Sequence, residues 1–337
     1  MQTIGTPLLW TAFTVFVILA LCVDLFMLKA KGAHKVGTRE ALGWSAFWIF
    51  LAFAFNGWLW WYLGHSPDHT QAEANDLALK FLTGYALEKA LAVDNIFVFL
   101  VLFNYFAVPP IQQQKVLIFG VIGAIVLRAI MIFIGAALVA QFHWILYVFG
   151  AFLLFTGGKL LWSAGEEPDL ENSGVLRWLS SHLKLTREYH GAKLSVMVDG
   201  VRHYTPLVLV MAMIAVTDVI FAVDSIPAIF VITTDPFIVL TSNVFAVLGL
   251  RALFFLLAAM ADRFHLLNYG LAVVLIFIGS KMMLVDIWKI PVGWALGVVV
   301  LVIGGSMVLS LLMPKHAEAE AAPGASGDGG DEPTKHD

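Results

Sequence analysis

Glu88 and Asp94 stand six residues apart in the run Glu88-Lys89-Ala90-Leu91-Ala92-Val93-Asp94-Asn95-Ile96-Phe97, and Asp218 and Asp224 repeat the spacing in Asp218-Val219-Ile220-Phe221-Ala222-Val223-Asp224-Ser225-Ile226-Pro227. In each run the second acid closes an Ala-Val-Asp triplet and is followed by an amide or hydroxyl, Asn95 or Ser225. Both runs lie in apolar stretches long enough to cross a bilayer, where a carboxylate costs about 3 kcal/mol on insertion scales and usually marks an ion or proton path. Two matched pairs of acids suit a cation. Oxygen donors from Glu88, Asp94, Asn95, Asp218, Asp224 and Ser225, with no cysteine among them, favour a hard divalent ion such as Mn²⁺, Mg²⁺ or Ca²⁺. A proton relay through the same carboxylates is the competing chemistry. A structural reading, in which Lys89 or Arg128 neutralises Glu88, is the third.

Helix geometry limits how these acids meet. Six residues advance an ideal helix by about 9 Å and turn it to about 240°, so Glu88 and Asp94 do not share a face. If the two helices run in opposite directions, Glu88 comes level with Asp224, and Asp94 with Asp218. Either those pairs form two layers, or the helices unwind near 92–95 and 222–227 and all four acids converge. Pro227 lacks a backbone donor and favours such a break.

The surrounding sequence sets the class. With 60% hydrophobic residues, 13% charged residues and eleven Trp, the chain exceeds the apolar content of soluble domains. An all-α polytopic membrane helix bundle is the expected fold. The net charge is -4 and no basic block points to nucleic acid, while the single cysteine, Cys22, excludes a disulfide framework and a cysteine metal site. Apolar runs of roughly 20 residues, the length that spans the hydrocarbon core, fall near 8–28, 42–63, 78–106, 116–141, 143–163, 205–232, 237–261, 265–287 and 292–313, about nine in all. The first is read as a retained span rather than a cleaved signal, since no basic residue precedes it and no small-residue cleavage site closes it.

Lys29, Lys31, Lys35 and Arg39 follow the first span, whereas Asp68, Glu73 and Asp76 follow the second. The positive-inside rule then places the N-terminus outside and the C-terminus in the cytoplasm. The expected organisation is two N-terminal helices (1–77), a three-helix unit (78–163), a cytoplasmic loop (164–204), a second three-helix unit (205–287), a last helix (288–313) and a disordered tail (314–337). The loop reads as a tether, an interfacial helix or a regulatory segment.

The two units match beyond their acids. Leu127-Arg128-Ala129 matches Leu250-Arg251-Ala252, Gln141-Phe142-His143 matches Arg263-Phe264-His265, and Gly158-Lys159-Leu160 matches Ser280-Lys281-Met282. An odd number of spans per unit inverts the second unit in the membrane. That inverted repeat is common among secondary transporters, with the substrate site near the midplane between the repeats. Arg128 and Arg251 are expected to partner site carboxylates in the absence of an ion, or to form structural salt bridges. Asp24 is expected to snorkel toward Lys29 and the interface, as are Lys159 and Lys281. His143 and His265 read as interfacial caps, Trp58, Trp60, Trp61 and Tyr62 as an outer aromatic belt, and Thr205-Pro206 as the start of the sixth span.

The run from Glu88 to Phe99, the run from Asp218 to Phe230 continuing into Thr233-Thr234-Asp235-Pro236-Phe237, and Thr241-Ser242-Asn243 with Leu248-Gly249-Leu250-Arg251-Ala252-Leu253 resemble the TerC family, in its Alx-like branch. The resemblance covers residues from about 20 to 313. It implies an inner-membrane protein of metal-ion homeostasis, some members exporting Mn²⁺ and others named for tellurium resistance, with Glu88, Asp94, Asp218 and Asp224 as ion-handling positions. The chain departs from the family pattern at Ala90 and Ala92, where Ser is common, and at Ala215, where Glu often stands. No HExxH, GxSxG, Walker or other nucleotide-binding motif appears, so neither an intramembrane enzyme nor an ATP-driven pump is expected. The reading is a secondary transporter exporting Mn²⁺ or a similar ion, with protons as the coupling partner and no permanently bound cofactor. Its alternative is a membrane scaffold of a metal or tellurite stress-response complex.

Overall fold

The computed structural model describes residues 3–30, 37–142, 144–162, 174–186, 189–191, 193–198, 200–258, 266–284, 287 and 291–313; the side chains of 27–30, 93, 94, 97, 175, 182 and 224 lie outside this description. Eleven helices and one hairpin follow in order: α1 (Pro7–Ala30), α2 (Thr38–Gly64), α3 (Gln71–Tyr105), α4 (Pro110–Gln141), α5 (Ile145–Trp162), α6 (Gly174–His182), β1 (Ser195–Val198), β2 (Val201–Tyr204), α7 (Pro206–Phe230), α8 (Pro236–Leu248), α9 (Leu250–Ala258), α10 (Leu267–Met283) and α11 (Val292–Leu312).

Local chemistry starts these helices. Thr70 and Glu73 form a capping box at α3, each side chain bonding the other's backbone N–H. Proline opens α4, α7 and α8, where its missing N–H costs no helical bond. Asp235 caps α8 by accepting from the Phe237 N–H at 2.8 Å, and its carboxylate also takes the Thr3 hydroxyl and the Ile4 N–H. The chain's beginning is thereby pinned to the start of α8.

Among the described residues, α1, α2, α4, α5, α7 and α11 are long and apolar enough to cross a membrane, and α8 with α9, bent by 42°, makes a seventh span if the pair is counted as one. Large apolar side chains on α1, α2, α5 and α11, among them Phe26, Phe50, Phe155 and Leu301, face outward. A soluble protein would place polar groups there, whereas a lipid solvent accepts this surface. Helix α3 differs. Its 35 residues are ample for a span, but it carries Glu88, Lys89 and Asp94 in its apolar stretch and packs against α2, α7, α8, α9, α10 and α11. The most charged helix is packed against six others.

Helices α3 and α7 run unbroken through 92–95 and 222–227. The expected unwinding does not occur. Pro227 sits in the closing turns of α7, so it removes a single ladder bond, and in hydrocarbon the remaining backbone groups have no better partner than the helix itself. The chain does bend at Gly249, between α8 and α9. Lys89 donates to the Ala246 carbonyl at 3.1 Å there, capping the end of α8, and a Cβ on Gly249 would stand 2.8 Å from Lys89 Nζ and 3.1 Å from Trp48 Cβ.

Each helix of the first expected unit meets one of the second: α3 packs along α8, α4 along α7 and α5 along α10. The last pair is closest. A Cβ on Gly150 would lie 3.2 Å from the Gly279 carbonyl oxygen, and one on Gly279 would lie 2.9 Å from the Gly150 carbonyl oxygen. Small residues drive membrane helices together by allowing this backbone approach. The 164–204 stretch is not a bare tether: it holds α6 and the antiparallel β1–β2 hairpin, and Tyr189 anchors it by donating its hydroxyl to the Phe106 carbonyl at 2.6 Å. The tail, 314–337, lies outside the described residues.

Gly279→Leu is expected to force α5 and α10 apart and to destabilise the detergent-solubilised protein by about 2 kcal/mol, read as a lowered thermal unfolding temperature. Gly158→Ala, whose Cβ would meet nothing within 4 Å, is the control and should not lower that temperature.

Candidate intramembrane ion site

Four helices each send one polar side chain to the centre of the bundle. Glu88 comes from α3, Arg128 from α4, Asp218 from α7 and Asn243 from α8, and all four are buried. Arg128 Nη1 forms an ion pair with Glu88 Oε1 and donates to Asn243 Oδ1 at 3.0 Å, while its Nη2 lies 3.5 Å from Asp218 Oδ1. Asn243 turns its Nδ2 to Glu88 Oε2, also at 3.0 Å. One amide thus accepts from the guanidinium and donates to the carboxylate that the guanidinium neutralises. The planar fork of arginine suits this arrangement, because its donors diverge toward two carboxylates at once.

The charges do not cancel. Two carboxylates face one guanidinium, leaving one negative charge in excess if both acids are ionised. A buried charge without a counter-ion is costly, so a further cation or a proton stabilises the cluster. Lys89, next to Glu88 in sequence, does not serve, since its ammonium is turned to the Ala246 carbonyl.

Two cavities flank the cluster, and Arg128 lines both. The first, of about 120 Å³, has Asp218 and Ala215 in its wall with apolar residues such as Phe99 and Ile214. The second, of about 100 Å³, is lined by Asn95, Thr156 and Ser225 with Leu271 and Leu275. Asn95 Oδ1, Ser225 Oγ, Asp218 Oδ2 and Arg128 Nε are buried without hydrogen-bond partners. Buried polar atoms are nearly always satisfied, so such a concentration beside cavities marks a place that water or an ion completes.

Of the six expected site residues, the structure joins Glu88 and Asp218 through one guanidinium and sets Asn95 and Ser225 in one cavity wall. Asp94 and Asp224 are helical in α3 and α7, but their side chains lie outside the described residues, and among those residues no three His, Cys, Asp or Glu converge. The level pairing of Glu88 with Asp224 and of Asp94 with Asp218 involves in each case a side chain outside the described residues.

Asp24 also departs from expectation. It is buried and paired with Arg251, Nη2 to Oδ1 at 2.7 Å, rather than turned to the interface. The two matched arginines therefore have unlike partners. Lys159 is exposed but Lys281 is buried within the bundle, and His143 and His265 lie outside the described residues. Trp58, Trp60 and Trp61 point outward, with Trp60 Nε1 donating to Asn75 Oδ1 at 2.7 Å. Sequence reasoning missed Asn243 as a bridge, although it lay within the Thr241-Ser242-Asn243 segment. The polar run Thr241-Ser242-Asn243 inside an otherwise apolar helix was the available signal.

Fold and cluster together define a multi-pass helical membrane protein with an internal charged centre. Residues 73–318 match the integral membrane protein TerC family, and the chain belongs to that family, in its Alx-like branch. It is 53% identical over 299 residues to a relative from Escherichia coli K12 named as the proposed membrane-bound redox modulator Alx, covering 89% of this chain and 92% of the relative. A Photorhabdus laumondii relative of the same name is 48% identical over 320 residues, 95% of this chain and 99% of the relative. A membrane protein of Myxococcus xanthus is 43% identical over 320 residues, 95% of this chain and 97% of the relative. No solved structure matches.

Breaking the Asp24–Arg251 pair tests its structural weight. Arg251→Gln alone should cost about 3 kcal/mol, because Asp24 is left buried without its cation. Combined with Asp24→Asn it should cost clearly less than the sum of the single changes, as read from thermal unfolding of the purified protein.

Proposed function

We propose that this chain is a secondary transporter that exports a hard divalent metal ion, Mn²⁺ foremost, across the bacterial inner membrane by alternating access. The observation that carries the reading is the Glu88–Arg128–Asp218 cluster, two carboxylates on one guanidinium, buried at the meeting of four helices and beside two cavities. Asp94 and Asp224 belong to the same ion path in this reading, and Asn95 and Ser225, expected as neutral oxygen ligands, line the cavity beside the cluster. Protons released from the carboxylates as the ion binds, and regained as it leaves, supply the coupling. Pairwise packing of α3 with α8, α4 with α7 and α5 with α10 supports two inverted three-helix units, 78–163 and 205–287. The basic residues after α1 support an N-terminus outside and a C-terminus in the cytoplasm.

A scaffold of a metal or tellurite stress response is the second reading, favoured by the redox-modulator name of several relatives. Direct thiol redox chemistry fits this chain poorly. Cys22, its single cysteine, lies exposed on α1, so this sequence offers no intramolecular dithiol couple. A redox effect that follows from the metal content of the cell requires no such couple.

Vesicles holding the purified protein are expected to show saturable Mn²⁺ flux that exceeds flux of Mg²⁺, Ca²⁺ and Zn²⁺. Asp94→Asn, Asp218→Asn and Asp224→Asn should each lower it by at least about tenfold while the protein stays folded. If the folded chain moves no divalent ion, the transporter reading fails and the scaffold reading replaces it.

A further inference from the structure

Arg128 occupies the place between Glu88 and Asp218 that a divalent ion binding both carboxylates would take. Guanidinium and ion are therefore mutually exclusive there, by charge and by space. For an ion to enter, Arg128 must leave, and a buried guanidinium leaves only for a site that can accept its hydrogen bonds. The second cavity provides one. Arg128 already borders it, and Asn95 Oδ1 and Ser225 Oγ stand in its wall, each about 2% exposed and without a partner. Its volume of about 100 Å³ is several times the roughly 15 Å³ that one water requires. On the other side the first cavity presents Asp218, whose Oδ2 is buried and unpaired. Arg128 thus lines both a chamber with an acid and a chamber with neutral acceptors.

We propose that Arg128 is a tethered counter-cation that closes the path between the two cavities, and that it swings into the Asn95–Ser225 cavity when a divalent cation takes Glu88 and Asp218. This rests on the transporter reading and adds the gate to it. Asn95 and Ser225 then act on the ion through Arg128, as its receiving site. Asn243 is the latch: it accepts from Arg128 Nη1 and donates to Glu88 Oε2, so it holds the closed arrangement without carrying charge. A fixed strut would explain the ion pairs. It would not explain unpartnered acceptors in the cavity beside the strut.

Direct Mn²⁺ binding to the purified protein, followed by the electron paramagnetic resonance of free Mn²⁺, tests the gate without needing transport. Removing the internal competitor with Arg128→Gln should tighten apparent binding by about tenfold, as expected when a binding-competent state is no longer held at a small fraction. Asn95→Ala should weaken binding in the intact chain and have no effect once Arg128→Gln is present. Equal or weaker binding by folded Arg128→Gln overturns the gate, and so does an Asn95→Ala effect of equal size in both backgrounds, which would make Asn95 an ion ligand. Should Arg128→Gln fail to fold, Asn243→Ala loosens the latch with every charge retained. Tighter binding then supports the gate, and unchanged or weaker binding overturns it. Absence of Mn²⁺ binding by the intact chain and all variants overturns the transporter reading and the gate with it, whereas native binding with unaltered variants overturns the gate alone.

Discussion

Three buried charges govern this bundle. In a low-dielectric interior a carboxylate is held by its partners or not at all, and Glu88, Asp218 and Arg128 partner one another with Asn243 as the neutral fourth member. Each comes from a different helix, so the cluster ties α3, α4, α7 and α8 at one point. Helix association in lipid lacks the hydrophobic drive available in water and relies on close packing and on such polar contacts. The cluster is thus a structural junction and a chemical site at once. Two carboxylates on one guanidinium leave a place for a further cation or a proton, so the cluster is more than a junction.

The arrangement around α3 follows from the same constraint. A helix carrying Glu88, Lys89 and Asp94 would be costly against lipid, and six other helices cover it. Lys89 shows how local the solutions are: one residue from Glu88, it faces another way and caps α8 where the chain turns at Gly249. Peripheral helices bear the opposite composition, with Phe, Trp and Leu turned outward. Charge inside and apolar surface outside is the soluble pattern inverted.

Arg128 and Arg251 hold matched places in two similar units and meet different acids. Arg128 spans Glu88 of one unit and Asp218 of the other, whereas Arg251 is taken by Asp24 of α1, a helix that belongs to neither unit. Asp218 cannot serve both arginines, and α1 supplies the missing carboxylate. Sequence similarity between the units therefore does not carry over into equal contacts, and the asymmetry centres on the cluster proposed to bind the ion.

The sequence by itself determined the class and the cast. Apolar runs of spanning length make a helical membrane protein because backbone polar groups in lipid must be satisfied within the helix, and embedded acids mark a site because their cost demands a purpose. The buried acids Glu88 and Asp218 were legible on that ground, as was the start of α7 from Pro206. Tertiary structure alone decided who meets whom. That α3 and α7 stay helical through the acids depends on the lack of any competing partner for their backbones. That Arg128 rather than Lys89 neutralises Glu88, that Asn243 bridges them, and that Asp24 turns inward to Arg251 depend on how four or five helices cross, and spacing along one chain holds no record of distances between helices.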